Sequence, residues 1–314
     1  MRMRVAIMGS GGVGGFFGGL LARAGEDVTL IARGAHLEAI RARGLRVNSP
    51  VVGDFTVSSP ATDDPGTIGT VDLVVVGVKT SDLEAAAEQA RPLIGSHTAV
   101  LPLQNGIDAT ARIAHVLGWQ PVLTGVAYVL SSLEAPGVIK HTAQSRIVLG
   151  EPDGGPSPRV QRVADVLRGA GIVCETPPDI RVPLWEKFVL LTATGGVTAV
   201  LRLPFGPIRE CEEASELFRG AMAEAEAVGR AVGVDLPQGL VGRHWEMVLG
   251  LPAAGHGSML QDLRAGRRLE LDSLNSAVVR LGRERGVATP LNFAVYAALK
   301  PYADGVLPRS RSEE

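Results

Sequence analysis

Residues 4–24 read RVAIMGSGGVGGFFGGLLARA, and this stretch decides the fold of the first half of the chain. Residues 5–8 are a short apolar run, which is typical of a strand buried on both faces. Gly9, Gly11 and Gly14 then form the spacing G-x-G-x-x-G, and a run of small and apolar residues follows. The stretch therefore predicts a strand, a tight turn and a helix, in that order.

Each glycine of this spacing has a separate physical task. Gly9 permits the tight turn, Gly11 lets the backbone approach a pyrophosphate, and Gly14 lets the helix pack close to the sheet. The phosphates would lie at the helix N-terminus, where unpaired N–H groups and the helix dipole favour anions. The alternative is a glycine-rich turn without a ligand, since the chain holds 39 glycines. The order of strand, loop and helix favours a dinucleotide loop made of Gly9, Ser10, Gly11, Gly12, Val13 and Gly14.

The composition is that of a globular protein large enough for two domains. Among 314 residues the apolar fraction is 46% and the charged fraction 20%. The net charge of -2 offers no basic surface for nucleic acid. No uninterrupted apolar stretch of membrane-spanning length occurs, and the N-terminal apolar run is not a signal peptide because glycine breaks it. Cys174 and Cys211 fit no metal or redox spacing, which predicts a reducing, cytoplasmic setting.

The residue that follows the second strand bears on the choice of cofactor. Residues 27–31 form a second apolar run, and Arg33 comes shortly after it. In a dinucleotide-binding sheet this position meets the adenosine ribose, where an acid suits NAD and an arginine suits the 2′-phosphate of NADP. Arg33 therefore favours NADP. The alternative is an ordinary solvated arginine.

Two further strands end in polar side chains. Residues 71–78 are the clearest buried strand, and Lys79 follows it; residues 98–103 form another, and Asn105 comes after it. Ligands of open parallel sheets bind at the carboxyl ends of the strands. We therefore predict that Lys79 and Asn105 face the ligand, although a solvated lysine and an Asn-Gly turn are the alternatives.

The second half of the chain has helical periodicity and few strand signals. We predict a Rossmann-type doubly wound α/β domain over residues 1–178 and an all-helical domain over residues 179–314, with a linker at Pro177, Pro178 and Pro183. Before this linker we expect a hairpin at 45–57 and two short paired strands at 138–142 and 146–150. After it we expect helices at 182–201, 209–232, 237–249, 271–285 and 290–303, and a disordered tail at 309–314.

A helical half beside a cofactor-binding half must supply a proton donor if the reaction is carbonyl reduction, because hydride delivery builds charge on the oxygen. Lys187, in the sequence LWEK at 184–187, is the candidate. The alternative is an exposed helix lysine. The six histidines show no metal-ligand spacing, so no metal is predicted.

Taken together, these motifs resemble the ketopantoate reductase (2-dehydropantoate 2-reductase) family over nearly the whole chain. The resemblance rests on Arg33 and on five stretches: GSGGVG at 9–14, VKT at 78–80, LQNG at 103–106, LWEK at 184–187, and SMLQDLRAGRRLE at 258–270. The last two are far more specific than the glycine spacing.

The resemblance implies an NADPH-dependent reduction of 2-dehydropantoate to pantoate in pantothenate and coenzyme A biosynthesis. It makes the glycine loop the pyrophosphate site and Arg33 the 2′-phosphate contact. It places Lys79 and Asn105 near the nicotinamide and substrate, and makes Lys187 the general acid. It places Ser258 at the substrate carboxylate and Glu270 at the cofactor ribose. Without the resemblance, these last two would be interpreted as a helix N-cap and a helix-start acid.

One departure from the family pattern concerns the substrate. The family commonly places Asn four and eight residues after the lysine, where this chain has Leu191 and Gly195. Thr194 could take part of the lost role, or its hydroxyl could bond back to its own helix. A reductase of a different, less polar 2-keto acid is therefore one alternative. A non-catalytic NADP-binding sensor is another, although the retained Lys187 argues against it. The oligomeric state is open, with a homodimer possible.

Overall fold

The computed structural model describes residues 2–305, and the chain divides into two compact units. The first unit comprises residues 2–104 and 108–180, and the second comprises residues 105–107 and 181–305. The predicted boundary after residue 178 lies two residues before this division. The assignment of residues 105–107 to the second unit differs from the prediction. The tail at 309–314, predicted to be disordered, lies outside the described residues.

The first unit alternates strands and helices along most of its length. Its elements are β1 (Arg4–Met8), α1 (Gly12–Arg23), β2 (Asp27–Ile31), α2 (Gly34–Arg43), β3 (Leu45–Asn48), β4 (Phe55–Val57), β5 (Ala61–Thr62), β6 (Leu73–Val76), α3 (Leu83–Ala90), β7 (Ala99–Pro102), α4 (Ala109–Leu117), β8 (Thr124–Ala135), β9 (Val138–Gly150), α5 (Pro158–Gly169) and β10 (Val173–Glu175).

The main sheet has the strand order β5-β2-β1-β6-β7, and all its pairs are parallel. This order is that of a doubly wound nucleotide-binding sheet. In β1, Val5 and Ile7 join one core cluster, whereas Ala6 and Met8 join the cluster on the opposite face. Because both faces are covered, the strand reads as a continuous apolar run. The predicted α/β fold class is confirmed.

The turn after β1 depends on glycine at two positions. Gly9 has a φ of +93°, which L side chains rarely adopt. At Gly14, a Cβ would collide with the carbonyl oxygen of Gly9. Gly77, which follows β6, also lies against this turn, since its Cβ would be 2.8 Å from the Cα of Gly14. The close packing of helix on sheet that the spacing predicts is therefore present.

A second sheet, which the sequence pattern does not predict, has the order β10-β9-β3-β4, with β8 paired to β9. The predicted hairpin at 45–57 is its β3–β4 pair. The two short strands predicted at 138–142 and 146–150 are wrong, since they form the single strand β9. Both parts of β9 pair with the long strand β8, and Gln144 adopts a φ of 62° between them.

The second unit is helical apart from its loops. Its elements are α6 (Arg181–Leu191), a π-turn (Thr192–Val197), α7 (Thr198–Leu201), α8 (Phe205–Glu210), α9 (Glu212–Ala231), α10 (Leu240–Leu249), α11 (Ser258–Arg264), α12 (Asn275–Arg285) and α13 (Pro290–Leu299).

Three details differ from the predicted helices. Pro183 lies in the first turn of α6, where its missing N–H costs nothing, and so it is not part of a linker. Extended backbone at Cys211 divides the helix predicted at 209–232. The short helix α11 was not predicted.

The segment from α6 to α7 (Arg181–Leu201) is one continuous helix at the centre of the second unit. It is long and apolar enough to cross a membrane by length and composition. However, 61% of its apolar window is buried, and Phe188, Val189 and Val197 belong to the core cluster of the unit. Its apolar character is therefore that of a core helix.

We expect Gly14→Ala to destabilise the first unit by about 1–3 kcal/mol, because the new methyl group meets a fixed backbone carbonyl. The measurement is the melting temperature by calorimetry. Gly242→Ala is the matched control: this glycine lies in α10 with nothing within 4 Å of its Cβ position. It should gain about 0.5–1 kcal/mol. An unchanged melting temperature for Gly14→Ala would contradict the packing argument.

Candidate active site

The start of α1 fits a dinucleotide pyrophosphate. Gly11 is the N-cap residue, and among the described residues no side chain caps this terminus. A Cβ at Gly11 would have nothing within 4 Å, so an anion can approach the backbone there. Ser10 is buried, and its Oγ donates to the carbonyl of Ile31 at 3.1 Å. The hydrogen bond of Ser10 thus anchors the loop to β2, while the backbone at Gly11 is open to a ligand.

His36, in α2, supports the same loop and was not predicted as a site residue. Its Nε2 is 2.8 Å from the carbonyl oxygen of Ser10, and its Nδ1 accepts from the backbone N–H of Gly137 at 2.9 Å. Because Nδ1 accepts, these contacts assign the neutral Nε2–H tautomer. Sequence gave no signal for this role, since the partner residues are 26 and 101 positions away.

Arg33 and Lys79 lie where the strand pattern placed them. Arg33 is the exposed N-cap residue of α2, and its Nη2 donates to Gln89 Oε1 at 2.8 Å. Lys79 follows β6 and is the N-cap residue of the 3₁₀ turn Thr80–Asp82. Both residues therefore follow the carboxyl ends of parallel strands, which is the ligand side of such a sheet.

Gln104 holds the strand end that precedes Lys79, and no sequence pattern indicates this role. Its Nε2 donates to the carbonyls of Val76 at 2.9 Å and Val78 at 3.0 Å. Val78 in turn packs against Gly9, since a Cβ at Gly9 would be 2.6 Å from Val78 Cγ1. One amide group thus joins β6 and β7 at the end nearest the glycine turn.

The second unit brings three predicted residues together. Lys187 Nζ donates to Asn105 Oδ1 at 3.0 Å, and Asn105 Nδ2 donates to Glu270 Oε2 at 3.0 Å. Lys187 comes from α6, Asn105 from the segment after β7, and Glu270 from the extended segment before α12. We call these three side chains the lysine–amide–carboxylate group.

The chemistry of the group fixes the orientation of the amide. An ammonium can only donate and an ionised carboxylate can only accept, so the Asn105 oxygen must face Lys187 and its nitrogen must face Glu270. The reverse orientation would place N–H against N–H and oxygen against oxygen. Asparagine is therefore the small side chain that satisfies both neighbours, whereas aspartate would leave two carboxylates in contact.

Lys187 is half-buried, and burial lowers the pKa of its ammonium from 10.5 to about 8, while the charge of Glu270 raises it. At neutral pH the side chain is therefore mostly protonated but close to its titration midpoint. A group in this range can both give and recover a proton. An ordinary exposed lysine would hold its proton too tightly to do so.

The remaining predicted residues lie farther along the same helix and in α11. Thr194 is buried, and its hydroxyl donates to the carbonyl of Leu190 at 3.0 Å. A Cβ at Gly195 would contact Leu274 at 3.4 Å and Met259 at 3.7 Å. Ser258 is exposed at the first position of α11, next to the N-cap residue Gly257. Gly257 lies directly against the carbonyl of Thr194, so Ser258 begins its helix beside the π-turn.

No group of three His, Cys, Asp or Glu side chains within residues 2–305 could hold a metal ion.

Both halves of the chain match family descriptions. Residues 5–154 match "Ketopantoate reductase PanE/ApbA", and residues 179–303 match "Ketopantoate reductase PanE/ApbA C terminal". A 2-dehydropantoate 2-reductase of Mesorhizobium japonicum is 34% identical, with 96% of this chain and 98% of that protein covered. This chain belongs to the ketopantoate reductase family. The family resemblance and the class of enzyme, an oxidoreductase acting on CH–OH groups, are confirmed.

Solved structures agree with this assignment. A ketopantoate reductase of the PanE/ApbA family from Ralstonia eutropha JMP134 has a TM-score of 0.88 at 34% identity, covering 96% of this chain and 98% of that one. A D-mandelate dehydrogenase, solved with NADH and anilino(oxo)acetate, also has a TM-score of 0.88, over 96% of this chain and 98% of that one, at 23% identity. The second likeness shows the fold alone.

We expect Lys187 to titrate near pH 8 and Glu270→Gln to lower this midpoint, because the carboxylate charge favours the ammonium. NMR of protein carrying ¹³C-labelled lysine side chains measures the titration. Lys300 is the internal control, since Asp272 raises its pKa and it should stay protonated through the same range. A midpoint unchanged by Glu270→Gln would contradict the electrostatic coupling of Glu270 to Lys187.

Proposed function

We propose that this member of the ketopantoate reductase family catalyses the NADPH-dependent reduction of 2-dehydropantoate to pantoate, a step of pantothenate and coenzyme A biosynthesis. The observation that carries the proposal is the lysine–amide–carboxylate group, in which a half-buried lysine has a pKa of about 8. The family membership supplies the substrate class. We propose a cytoplasmic setting, a small 2-keto acid as the binding partner and, for the oligomeric state, a homodimer.

The reaction adds a hydride to the keto carbon and a proton to the keto oxygen. NADPH, when bound, supplies the hydride. The carbonyl oxygen gains negative charge as its carbon is reduced, and a positioned acid lowers the energy of that charge. Lys187 Nζ gives the proton, becomes neutral, and recovers a proton from solvent before the next turnover. Asn105 holds Lys187 in place, and Glu270 keeps it charged at neutral pH.

The other predicted residues take binding roles in this proposal. The loop from Gly9 to Gly14 binds the pyrophosphate, and Arg33 pairs with the 2′-phosphate. Lys79 and Asn105 lie near the nicotinamide and the substrate, Glu270 near the cofactor ribose, and Ser258 near the substrate carboxylate. The open backbone at Gly11 and the exposed guanidinium at the end of β2 support the cofactor part of this assignment.

A less polar 2-keto acid is a second candidate substrate. Leu191 and Gly195 stand where the family commonly has asparagine, and Gly195 faces the apolar side chains of Leu274 and Met259. Thr194, which could replace a lost polar contact, already gives its hydroxyl proton to Leu190. The lack of amide side chains at Leu191 and Gly195 supports a substrate with fewer hydroxyl groups than 2-dehydropantoate.

A non-catalytic NADP-binding sensor is the alternative from another class of protein. A sensor needs the glycine loop and Arg33 but has no use for a lysine whose proton is easily exchanged. The lowered pKa of Lys187 therefore favours an enzyme.

We expect NADPH oxidation with 2-dehydropantoate, with kcat/KM falling as pH rises through about 8, because the acid form of Lys187 is lost there. Lys187→Ala should lower kcat by roughly 10²–10⁴-fold. Lys300→Ala, which changes an exposed lysine of the same unit, is the control and should keep full activity. A panel of 2-keto acids with apolar side chains tests whether a less polar acid is the substrate. NADPH binding without turnover of any acid would favour the non-catalytic sensor.

We expect Arg33→Ala to raise KM for NADPH by roughly 10- to 100-fold, because one or two charged hydrogen bonds to the 2′-phosphate are lost. KM for NADH, which lacks this phosphate, should change little. Arg43→Ala, at the opposite end of α2, is the matched control for loss of a surface arginine. Equal effects of Arg33→Ala on both cofactors would remove the 2′-phosphate role from Arg33.

A further inference from the structure

The helix that carries Lys187 contains a π-turn at Thr192–Val197, which begins five residues after the lysine. All six residues of this turn are buried. A π-turn widens the helix by one residue and interrupts the regular ladder of i→i−4 hydrogen bonds, so its carbonyl groups need other partners. Such a turn also changes the direction in which the flanking parts of the helix present their side chains.

Asn275, the first residue of α12, supplies the partner. Its side chain is fully buried, and its Nδ2 donates to the carbonyl of Thr192 at 3.1 Å. Gly196 makes room for this amide, because a Cβ there would lie 2.7 Å from Asn275 Nδ2 and would also collide with Oδ1. The glycine on one helix and the asparagine on the other therefore fit each other at the π-turn.

The amide of Asn275 is also hydrogen-bonded to a second buried amide, that of Asn292. Its Nδ2 also donates to Asn292 Oδ1 at 2.9 Å, and Asn292 Nδ2 donates to the carbonyl of Ala221 at 3.0 Å and to Glu224 Oε2 at 2.8 Å. Glu224 in turn accepts the backbone N–H groups of Leu291 and Asn292. Helices α9, α12 and α13 are thus joined to the π-turn through buried hydrogen bonds.

Asn275 is also close in sequence to the site, because Glu270 lies five residues before it. The connecting segment is anchored by packing and a hydrogen bond: Leu271 and Leu274 are buried, and the N–H of Ser276 donates to the carbonyl of Leu271 at 3.1 Å. A shift of Asn275 away from Thr192 is therefore transmitted to Glu270. Glu270 in turn reaches Lys187 through Asn105.

We propose that Asn275 is a positioning residue. It holds the start of α12 against the π-turn and so keeps Glu270 in place beside Asn105 and Lys187. Its effect on the reaction rests on the proposed function, but its effect on the placement of Glu270 does not. An apolar side chain at this position would leave the Thr192 carbonyl and Asn292 Oδ1, two buried acceptors, without this donor. Among the described residues Asn275 Oδ1 has no hydrogen-bond partner, so the amide is held only through its Nδ2 donor group.

The test compares Asn275→Ala with Ser215→Ala. Ser215 is a buried residue of the same unit, and its Oγ donates to the carbonyl of Ile208 at 2.9 Å. Its replacement therefore removes a buried hydrogen bond that is not one of those joining Asn275, Asn292 and Glu224. Both variants should lower the melting temperature. Only Asn275→Ala should lower the Lys187 titration midpoint, by roughly 0.3 to 1 pH unit. This is the shift expected when Glu270 moves away from Lys187 by about 1–2 Å at an effective dielectric constant of about 20.

Two further variants keep the test decisive. In a Glu270→Gln background, Asn275→Ala should cause no additional shift of the Lys187 midpoint, because the charge through which it acts is gone. Gly196→Ala should shift the midpoint in the same direction as Asn275→Ala, since its methyl group displaces the Asn275 amide; it replaces Asn275→Ala if that variant does not fold.

A Lys187 midpoint that stays within about 0.1 unit in folded Asn275→Ala or Gly196→Ala would overturn the proposal and leave Asn275 a purely structural residue. An equal shift in the Glu270→Gln background would overturn it as well. The titration uses protein without substrate, so its outcome is independent of turnover. If no 2-keto acid is reduced while the midpoint shifts as expected, the proposed function fails and the positioning role stands.

Discussion

The half-buried ammonium of Lys187 is the constraint on which the second unit depends. Burial disfavours the charge and lowers the lysine pKa to about 8, whereas the Glu270 carboxylate opposes this effect. Asn105 hydrogen-bonds to both side chains. A lysine buried without this carboxylate charge would lose its proton more readily. Burial and the carboxylate charge thus act in opposite directions on the lysine pKa, and the amide holds both side chains.

The two units meet different demands with different packing. The first uses glycine at a left-handed turn and at the contact between helix and sheet, and these glycines leave the backbone at the start of α1 open. Its supporting residues, His36 and Gln104, bond to backbone carbonyls of the loop and of the strand end. The second unit must hold three side chains at fixed separations. It does so with a central helix whose π-turn is filled by a buried amide of another helix.

Local patterns predicted the fold class well because they report local physics. Strands β1 and β6 are buried on both faces, so their apolar runs are continuous and easily recognised. The sequence pattern gave wrong elements where the pairing of strands distant in sequence determines the structure. Residues 138–150 contain a polar interruption that suggests two strands, yet β8 is long enough to pair with both parts. Similarly, Pro183 suggests a linker, but the first turn of a helix accepts proline. Ser258 resembled an N-cap, but Gly257 takes that position.

By itself, the sequence determined that a glycine turn joins a buried strand to a helix, that Arg33 follows the second strand, and that Lys187 lies in a helical second half. These statements depend on neighbours within a few residues, which spacing reveals. Only the tertiary structure decided that Asn105 belongs with Lys187 and Glu270, 82 and 165 positions away, and that Asn275 fills a π-turn 83 positions before it. Hydrogen-bond partners and burial are properties of the folded chain, and they set the pKa of Lys187, so the chemistry of this lysine follows from packing that no local pattern records.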